Sequence, residues 1–485
     1  MKCPHCQGEV TINHEFCPHC GQRITLAFDQ IAQSVHVDAA YRRGRQVEQA
    51  LRYMIVALIF SAAVITGFNH LWDRELEFGG ADLPAPEAPP ADLGETASLV
   101  QPYRDTFKPP QAPPSPPQAF AHRFLPLRDQ IRSRNGARPE VADAIDNALR
   151  FLVRSQEKDG FWDVDVPALR VDKARDESFH FKWGKVGVTA LCVMAFLGEG
   201  HAWFPDPKGQ VSKYGSNVQR AVRWLTSIQD SVNGRFGPPE GNFMYNHGLA
   251  TIALSEAAGM SGDLNLRKAA QLGVNLIERT QGPSGGWGYK DQVSERQDTS
   301  VTSWQVQALL AAREAGLKVN PEVLAKALAY YQEATDAKTG VVMYDFTDRQ
   351  VRPDLYGVAL MIRLYLEEPP STPEIRLLAR KSVEYLPVVK KDWGRSWREG
   401  KVAGVDDNDR ALNFDPYRWY FASHGLFFYG GEPWSTYQQS LQRAVLGLQD
   451  ADGAWRANDI WSVKAGINYS TALCVLTLQA FHRIQ

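Results

Sequence analysis

From about Val141 to its end the chain repeats one two-helix unit six times, and self-similarity of this kind constrains a fold before any single motif does. The first helix of each unit is one-sided, with apolar residues at i, i+3, i+4 and i+7: AIDNALRFLVRSQ, NVQRAVRWLTSIQ, LRKAAQLGVNLIERTQ, EVLAKALAYYQEA, IRLLARKSVEYL and YQQSLQRAVLGLQ. The second helices are apolar on most faces and begin near Val186, Gly248, Ser300, Gly357, Ala422 and Ser470. One-sided helices belong outside and all-round apolar helices inside. Six of each predict an all-α (α/α)6 toroid over residues 139–485, with a lead-in helix over 119–138. Closing the ring removes the exposed ends that an open repeat array would have to cap.

Four loops between the paired helices share a pattern: Gln156 with Gly160 and Trp162, Gln229 with Gly234 and Phe236, Gln281 with Gly285 and Trp287, Gln449 with Gly453 and Trp455. A Gln closing the outer helix can bond the loop backbone, the Gly permits the turn, and the aromatic covers the joint. These loops resemble the QW motifs of the prenyltransferase and squalene-cyclase repeat family, over about 345 residues. The resemblance implies the toroid and leaves the activity open, because that fold hosts cyclases, prenyltransferases, sugar-cleaving enzymes and non-catalytic ligand domains. In the cyclases of that family a D-x-D-D motif supplies the acid. The nearest match here is Asp406-Asp407-Asn408-Asp409, in the order D-D-x-D, so Asp406, Asp407 and Asp409 are weak catalytic candidates beside the plainer reading of a solvated acidic loop. The zinc set of the protein prenyltransferases is not found, and Cys192 and Cys474 read as buried inert thiols.

In a toroid the N-terminal ends of the inner helices converge on one mouth, and aromatics with a few polar groups there describe a ligand pocket. The predicted pocket comprises Trp183, His247, Asp298, Tyr356, Tyr420, His424 and Tyr469, with Lys185, Asp354 and Tyr417 nearby. Each has a plainer structural role: Asp298 as a helix cap, His247 and His424 as histidines bonded to backbone carbonyls. Asp298 and Asp354 together would suit the acid pair of a glycosidase, with the aromatics stacking on sugar rings.

Ahead of the repeats lie three segments of different chemistry. Cys3, Cys6, Cys17 and Cys20 form two C-x2-C knuckles, which match one closed tetrahedral structural Zn2+ site over residues 1–25; two disulfides are the alternative. This segment resembles the short zinc ribbon at the start of many bacterial membrane proteins. After a juxtamembrane segment over residues 26–52, residues 53–72 run without a charge for about 30 Å of helix and predict one transmembrane span. Arg42, Arg43, Arg45 and Arg52 precede it, so positive-inside asymmetry predicts a cytoplasmic N-terminus and a large extracytoplasmic domain, with the lipid bilayer as a partner. Residues 73–118 are a Pro-rich linker, eleven of the chain's 29 prolines falling between Pro84 and Pro117.

Composition excludes other classes. With 53 Lys and Arg against 55 Asp and Glu the chain has no broad positive field, so nucleic acid is not an expected partner. The reading is a membrane-anchored toroid that binds a small-molecule or protein ligand, without cyclase chemistry and coupled to a structural zinc ribbon. The alternatives are a terpenoid cyclase-like enzyme and a glycan-cleaving (α/α)6 enzyme. The zinc site is directly testable: residues 1–25 with cobalt are expected to give the absorption of a tetrahedral four-thiolate centre, and an octahedral spectrum would overturn the assignment.

Overall fold

Apolar stripes three and four residues apart drive the outer helices onto the inner ones, whose apolar residues face both their outer partners and one another. The computed structural model describes residues 118–164, 184–347, 352–387, 414–457 and 459–483, which fall in one unit, Arg104–Gln485. Two short helices lead in, α1 (Gln118–Ala121) and α2 (Leu127–Arg134). Six pairs follow, outer helix first: α3 (Glu140–Ser155) with α4 (Gly184–Gly198), α5 (Gly215–Ser227) with α6 (Phe243–Ser261), and α7 (Leu264–Arg279) with α8 (Thr299–Glu314). The second half repeats this with α9 (Pro321–Ala334) and α10 (Asp354–Tyr365), α11 (Pro373–Glu384) and α12 (Pro416–Tyr429), then α13 (Gly431–Leu448) and α14 (Ile460–Leu478). A 3-10 turn, Gln479–Phe481, ends the described chain. Among the described residues there is no strand, only two isolated β-bridges in loops.

The inner helices pack in the order α4, α6, α8, α10, α12, α14, and α14 returns to α4, which is the closed ring of an α/α toroid. The Gln-containing loops are its stitches. Gln156 Nε2 donates to the Gly160 carbonyl at 2.8 Å and to the Asn217 carbonyl of the next outer helix at 2.9 Å. Gln229 does the same to Gly234 and Ala269, and Gln281 to Gly285 and Val323. Gln449 closes the circle, donating to Gly453 at 2.9 Å and back to Ala144 of α3 at 2.8 Å.

The aromatic partner binds the third direction. Trp162, Trp287 and Trp455 are fully buried, and their indoles donate to the carbonyls of Leu152, Ile277 and Val445. Their backbone N–H groups donate to Thr189, Thr302 and Thr471 on the inner helices. One joint thus ties an outer helix, its inner partner and the next outer helix. The joint between α9 and α10 carries Thr335 and Val342 where these four carry Gln and an aromatic, and a β-bridge between those two residues holds it.

The end of the ring at the inner-helix C-termini is closed by the lead-in segment and the chain's own end. Glu256 of α6 lies between Arg123, at 3.0 Å, and Arg483, at 2.7 Å, all three almost wholly buried. Glu199, just past α4, is held by Arg128, Arg132 and His482. Midway along the ring, Trp304 of α8 meets Tyr417, Tyr420 and Phe421 of α12 at centroid distances of 6.3, 5.5 and 5.1 Å. Helices α8 and α12 are not neighbours in the ring, so these rings fill its interior at that level.

Two expectations are corrected. The expected localisation in a membrane as a single-pass protein is overturned, because no helix of the structure is long and apolar enough to cross a membrane among the described residues. The span over residues 53–72 that motivated it lies outside the described residues, as do the zinc cysteines Cys3, Cys6, Cys17 and Cys20 and the linker. The inner helix α12 begins earlier than its apolar run, at Pro416 behind the cap Asp415, and in α14 a short turn capped by Asp459 precedes a kink at Gly466, after which the helix that carries the apolar run begins.

The joints predict a graded response to alanine. Gly209 and Gly453 both have positive φ, but a Cβ at Gly209 meets open space whereas one at Gly453 is driven into the Asn147 carbonyl of α3. Gly209→Ala is expected to cost about 1–2 kcal/mol of unfolding free energy for its backbone alone. Gly453→Ala is expected to cost more than twice as much, and equal losses in denaturant melts would show that the closing joint is loose.

Candidate functional site

The inner helices present their N-termini at the end of the ring opposite the Glu256 cluster, and four of them begin with or behind an aspartate. Asp298 caps α8, Asp415 caps α12, Asp459 caps α14, and Asp354 is the first residue of α10. Asp is placed there for a local reason, since its carboxylate satisfies backbone N–H groups that a helix start leaves unbonded.

The four are not equivalent. Asp298 accepts from Ser300 N at 2.8 Å, Val301 N at 2.9 Å, the Ser300 hydroxyl at 2.6 Å and the Tyr289 hydroxyl at 2.5 Å. Four donors use the accepting capacity of one carboxylate, so Asp298 is a structural cap, and the Tyr289 hydroxyl is itself bonded to that of Tyr344. Asp459 accepts the backbone N–H groups of Trp461 at 2.9 Å and Ser462 at 3.0 Å on one oxygen, with the Ser462 hydroxyl close beside the carboxyl. Its other oxygen, Oδ2, is buried without a hydrogen-bond partner of good geometry, as is the Ser462 hydroxyl.

Desolvation and then the Asp415 carboxylate push the Asp459 carboxyl up to about 7. The same two causes, in the same order, raise half-buried Asp354 to about 6. Burial of a charge without a full set of partners disfavours the ionised form, and a second carboxylate adds repulsion. The result is a group of three aspartates, 354, 415 and 459, from three consecutive inner helices, two of which hold a proton to higher pH than an ordinary carboxyl does. Tyr469 flanks Asp459 and Asp415, and Tyr417 lies among Asp354, Asp298 and Tyr331; burial, followed by those neighbours, raises both phenols.

The structure brings together some of the residues expected at the pocket. Asp298, Asp354 and Tyr469 gather at the mouth with Tyr417, while Tyr420 sits one layer deeper, stacked on Trp304 and donating to Gln307 Oε1 at 2.7 Å. His247, Tyr356 and His424 do not join them. The His247 Nε2 meets the Gly273 carbonyl of outer helix α7 at 3.0 Å between the rings of Phe236 and Phe243, and burial holds its imidazole down at about 4. His424 lies between α10 and α14, with Nε2 3.1 Å from the Leu476 carbonyl and Nδ1 3.4 Å from the Tyr365 hydroxyl, and burial holds it at about 3. Both are neutral core histidines. Tyr356 turns outward to Tyr385 at the end of α11, 6.1 Å away. Trp183, Asp406, Asp407 and Asp409 lie outside the described residues.

Asp415 and Asp459 are the residues that sequence reasoning missed. Their signals were present: Pro416 at the first helical position behind Asp415, and a free-standing Asp three residues before Ser462. No group of three or more His, Cys, Asp and Glu placed to hold a metal occurs among the described residues.

Comparison with known proteins concerns the fold alone. No protein-family model and no curated protein matches the chain. Solved structures with a similar course of the chain include a type II terpene cyclase from Scytonema, at 13% identity over 71% of this chain and 98% of that one, with a TM-score of 0.43. A glycoside hydrolase family 76 mannosidase from Bacteroides thetaiotaomicron matches at 12% identity over 70% and 98%, with a TM-score of 0.46, and a D-mannose isomerase at 14% over 70% and 97%, with a TM-score of 0.47. Likenesses this distant transfer no activity to this chain.

The carboxyl at the start of α14 makes stability pH-dependent in a definite direction. Because the folded protein binds this proton more tightly than the unfolded chain, the contribution of Asp459 is most favourable below about pH 4 and is lost as pH rises toward about 7. Asp459→Asn keeps a cap and removes the titration. The variant is expected to gain on the wild type between pH 5 and pH 8 by on the order of 3 kcal/mol, read from denaturant melts at each pH. A difference that does not change with pH would remove the raised carboxyl from the account.

Proposed function

We propose that the toroid is a glycan-processing enzyme, with acid–base chemistry carried by aspartates at its mouth. The observation that supports this most is the pairing of two carboxyls with raised proton affinity, Asp354 and Asp459, on either side of Asp415. Asp459, with one oxygen unbonded and the higher proton affinity, is the proton donor; Asp354, more open to solvent, is the base or nucleophile that works against it. Tyr469, partly exposed beside Asp459 and Asp415, supplies a hydroxyl and a ring suited to polyhydroxylated rings. This replaces the pair Asp298 and Asp354 by Asp459 and Asp354.

The reading is preferred to a ligand-binding toroid without chemistry because a pure binding site gains nothing from carboxyls that resist ionisation. It is preferred to a hydrocarbon cyclase because the interior is filled by Trp304, Tyr417, Tyr420 and Phe421 at the level where a long polyene would have to fold. The terminal residues Cys3, Cys6, Cys17 and Cys20 are proposed to hold one structural zinc apart from this chemistry.

The test is release of reducing ends from a panel of neutral polysaccharides and oligosaccharides by the full-length chain. Turnover is expected to fall as pH rises past about 7, when the donor loses its proton. Asp459→Asn and Asp354→Asn are expected to lower kcat by about 100-fold or more. Asp298→Asn is expected to act chiefly on thermal stability. An absence of turnover on every substrate, or full activity in both aspartate variants, would overturn the proposal.

A further inference from the structure

Two of the loops that lead into the inner helices carry tyrosines that closing the ring does not require. Two places past the joint residues Trp162, Phe236, Trp287, Val342 and Trp455, the chain reads Val164, Pro238, Tyr289, Tyr344 and Ala457. The backbone at this position ties each loop to the preceding inner helix. The Tyr289 carbonyl accepts from Met244 N of α6 at 3.0 Å, the Tyr344 carbonyl accepts from Thr299 N of α8 at 2.9 Å, and the Val164 carbonyl packs on Gly466 of α14. A valine serves that purpose as well as a phenol does. Yet two adjacent loops carry tyrosine, and a third, Tyr245, stands beside them in the first turn of α6.

The three are part-exposed and form one hydrogen-bonded group around Asp298. The rings of Tyr245 and Tyr289 lie 5.9 Å apart, and the Arg352 guanidinium covers the ring of Tyr344 at 4.1 Å. The Tyr289 hydroxyl donates to Asp298 Oδ2 at 2.5 Å and meets the Tyr344 hydroxyl, which also lies against the Asp298 carboxyl. The Tyr245 hydroxyl meets that of Ser300, whose own proton goes to Asp298 Oδ1 at 2.6 Å. Burial and then the Asp298 carboxylate push all three phenols up, so each keeps its proton. A carboxylate has no proton to give, which fixes the direction of every bond. Tyr289 donates to Asp298, Tyr344 to Tyr289 or Asp298, and Tyr245 to Ser300. The oxygens at the two ends of the chain, those of Tyr245 and Tyr344, are left with lone pairs alone.

This quadrant adjoins the aspartates, because buried Tyr417 lies close to Asp354 on one side and to Asp298 and Tyr245 on the other. We propose that the tyrosines between α6 and α10 form the wall that holds the substrate against the acid–base pair, in which Tyr245 and Tyr344 accept hydroxyl protons of an uncharged sugar and the part-exposed rings carry its C–H face. A wall that can only accept, backed by a carboxylate, selects ligands rich in donors and refuses uronic or sulfated sugars, which bring further negative charge. The inference rests on the glycan-processing reading and assigns its substrate specificity to residues apart from Asp459 and Asp354.

The experiment is calorimetric titration of the full-length chain carrying Asp354→Asn, to prevent turnover, with maltohexaose, cellohexaose, mannohexaose and chitohexaose in turn. On the oligosaccharide that binds, adding Tyr245→Phe or Tyr344→Phe, each of which keeps the ring and removes the accepting oxygen, is expected to raise Kd about five- to tenfold. Tyr330→Phe is the structural control. It removes a hydroxyl bonded to Thr299 and to the Gln297 carbonyl in the fully buried layer beneath, and is expected to lower the melting temperature and leave Kd within about twofold. Unchanged affinity in both Tyr245→Phe and Tyr344→Phe, whatever their melting temperatures, would overturn the wall and leave the glycan reading standing. Failure of all four hexasaccharides to bind the parent would overturn both.

Discussion

The closed ring depends on one repeated hydrogen-bonding device, a glutamine amide at the end of an outer helix that donates both to its own loop and to the next outer helix. Between neighbouring repeats this bond is local. At Gln449 it spans the chain, because the acceptor, Ala144, is in the first helix pair. Gly453 packs its backbone against Asn147 in the same place, and the Trp455 indole pins the loop to Val445. Until this joint forms, the faces of α3 and α14 that it covers are exposed, so closure rewards every inner contact already made. The inner helices can then be apolar almost all round, which leaves their ends as the places where polar chemistry survives.

The two ends handle buried charge in opposite ways. Burial alone would raise Glu256, but Arg123 and Arg483 outweigh it and hold its carboxyl below the usual range. Desolvation of the guanidiniums and of the carboxylate is offset there by short, nearly ideal pairs. At the mouth Asp459 and Asp354 are desolvated with a carboxylate, Asp415, as a principal charged neighbour, and both are driven toward the neutral form. A fully paired charge fixes structure, and an unpaired one is held ready to exchange a proton. The base of the toroid is therefore a fastening, and the mouth is where the proposed chemistry would take place.

Much of this architecture was legible in the sequence, because the outer helices advertise themselves by a 3.6-residue stripe that nothing else produces. The loop pattern Gln, Gly, aromatic was legible too, and its bonds run as the residue types require. The inner helices were less so. The apolar runs at Val186, Ser300 and Gly357 begin within a turn of the true starts, but those of α6 and α12 begin more than a turn late, the missing turn of α12 is aromatic, and in α14 Gly466 separates the turn behind Asp459 from the apolar run. Asp415 and Asp459 fell into those unread turns. The histidines misled for the converse reason. A polar residue within an apolar helix is equally compatible with facing a cavity or facing the carbonyl of a neighbouring helix, and only the packing of α6 on α7, and of α12 on α14, decides for His247 and His424.

That decision has a chemical consequence. A histidine at the mouth would have supplied a base that is neutral at physiological pH, and the acid partner could then have been an ordinary exposed carboxyl. With His247 and His424 bonded to backbone carbonyls and held neutral far below physiological pH, the proposed chemistry assigns both roles to aspartates. Two carboxyls differ in role only if their surroundings separate their proton affinities. Here the separation comes from depth: Asp459 is more buried than Asp354, and both feel Asp415. Replacing Asp415 by Asn keeps a capping oxygen for α12 and removes the shared repulsion. The mouth would then lose the charge that, after burial, raises both carboxyls together, which makes Asp415, although it caps a helix, the residue through which the fold and the proposed chemistry are joined.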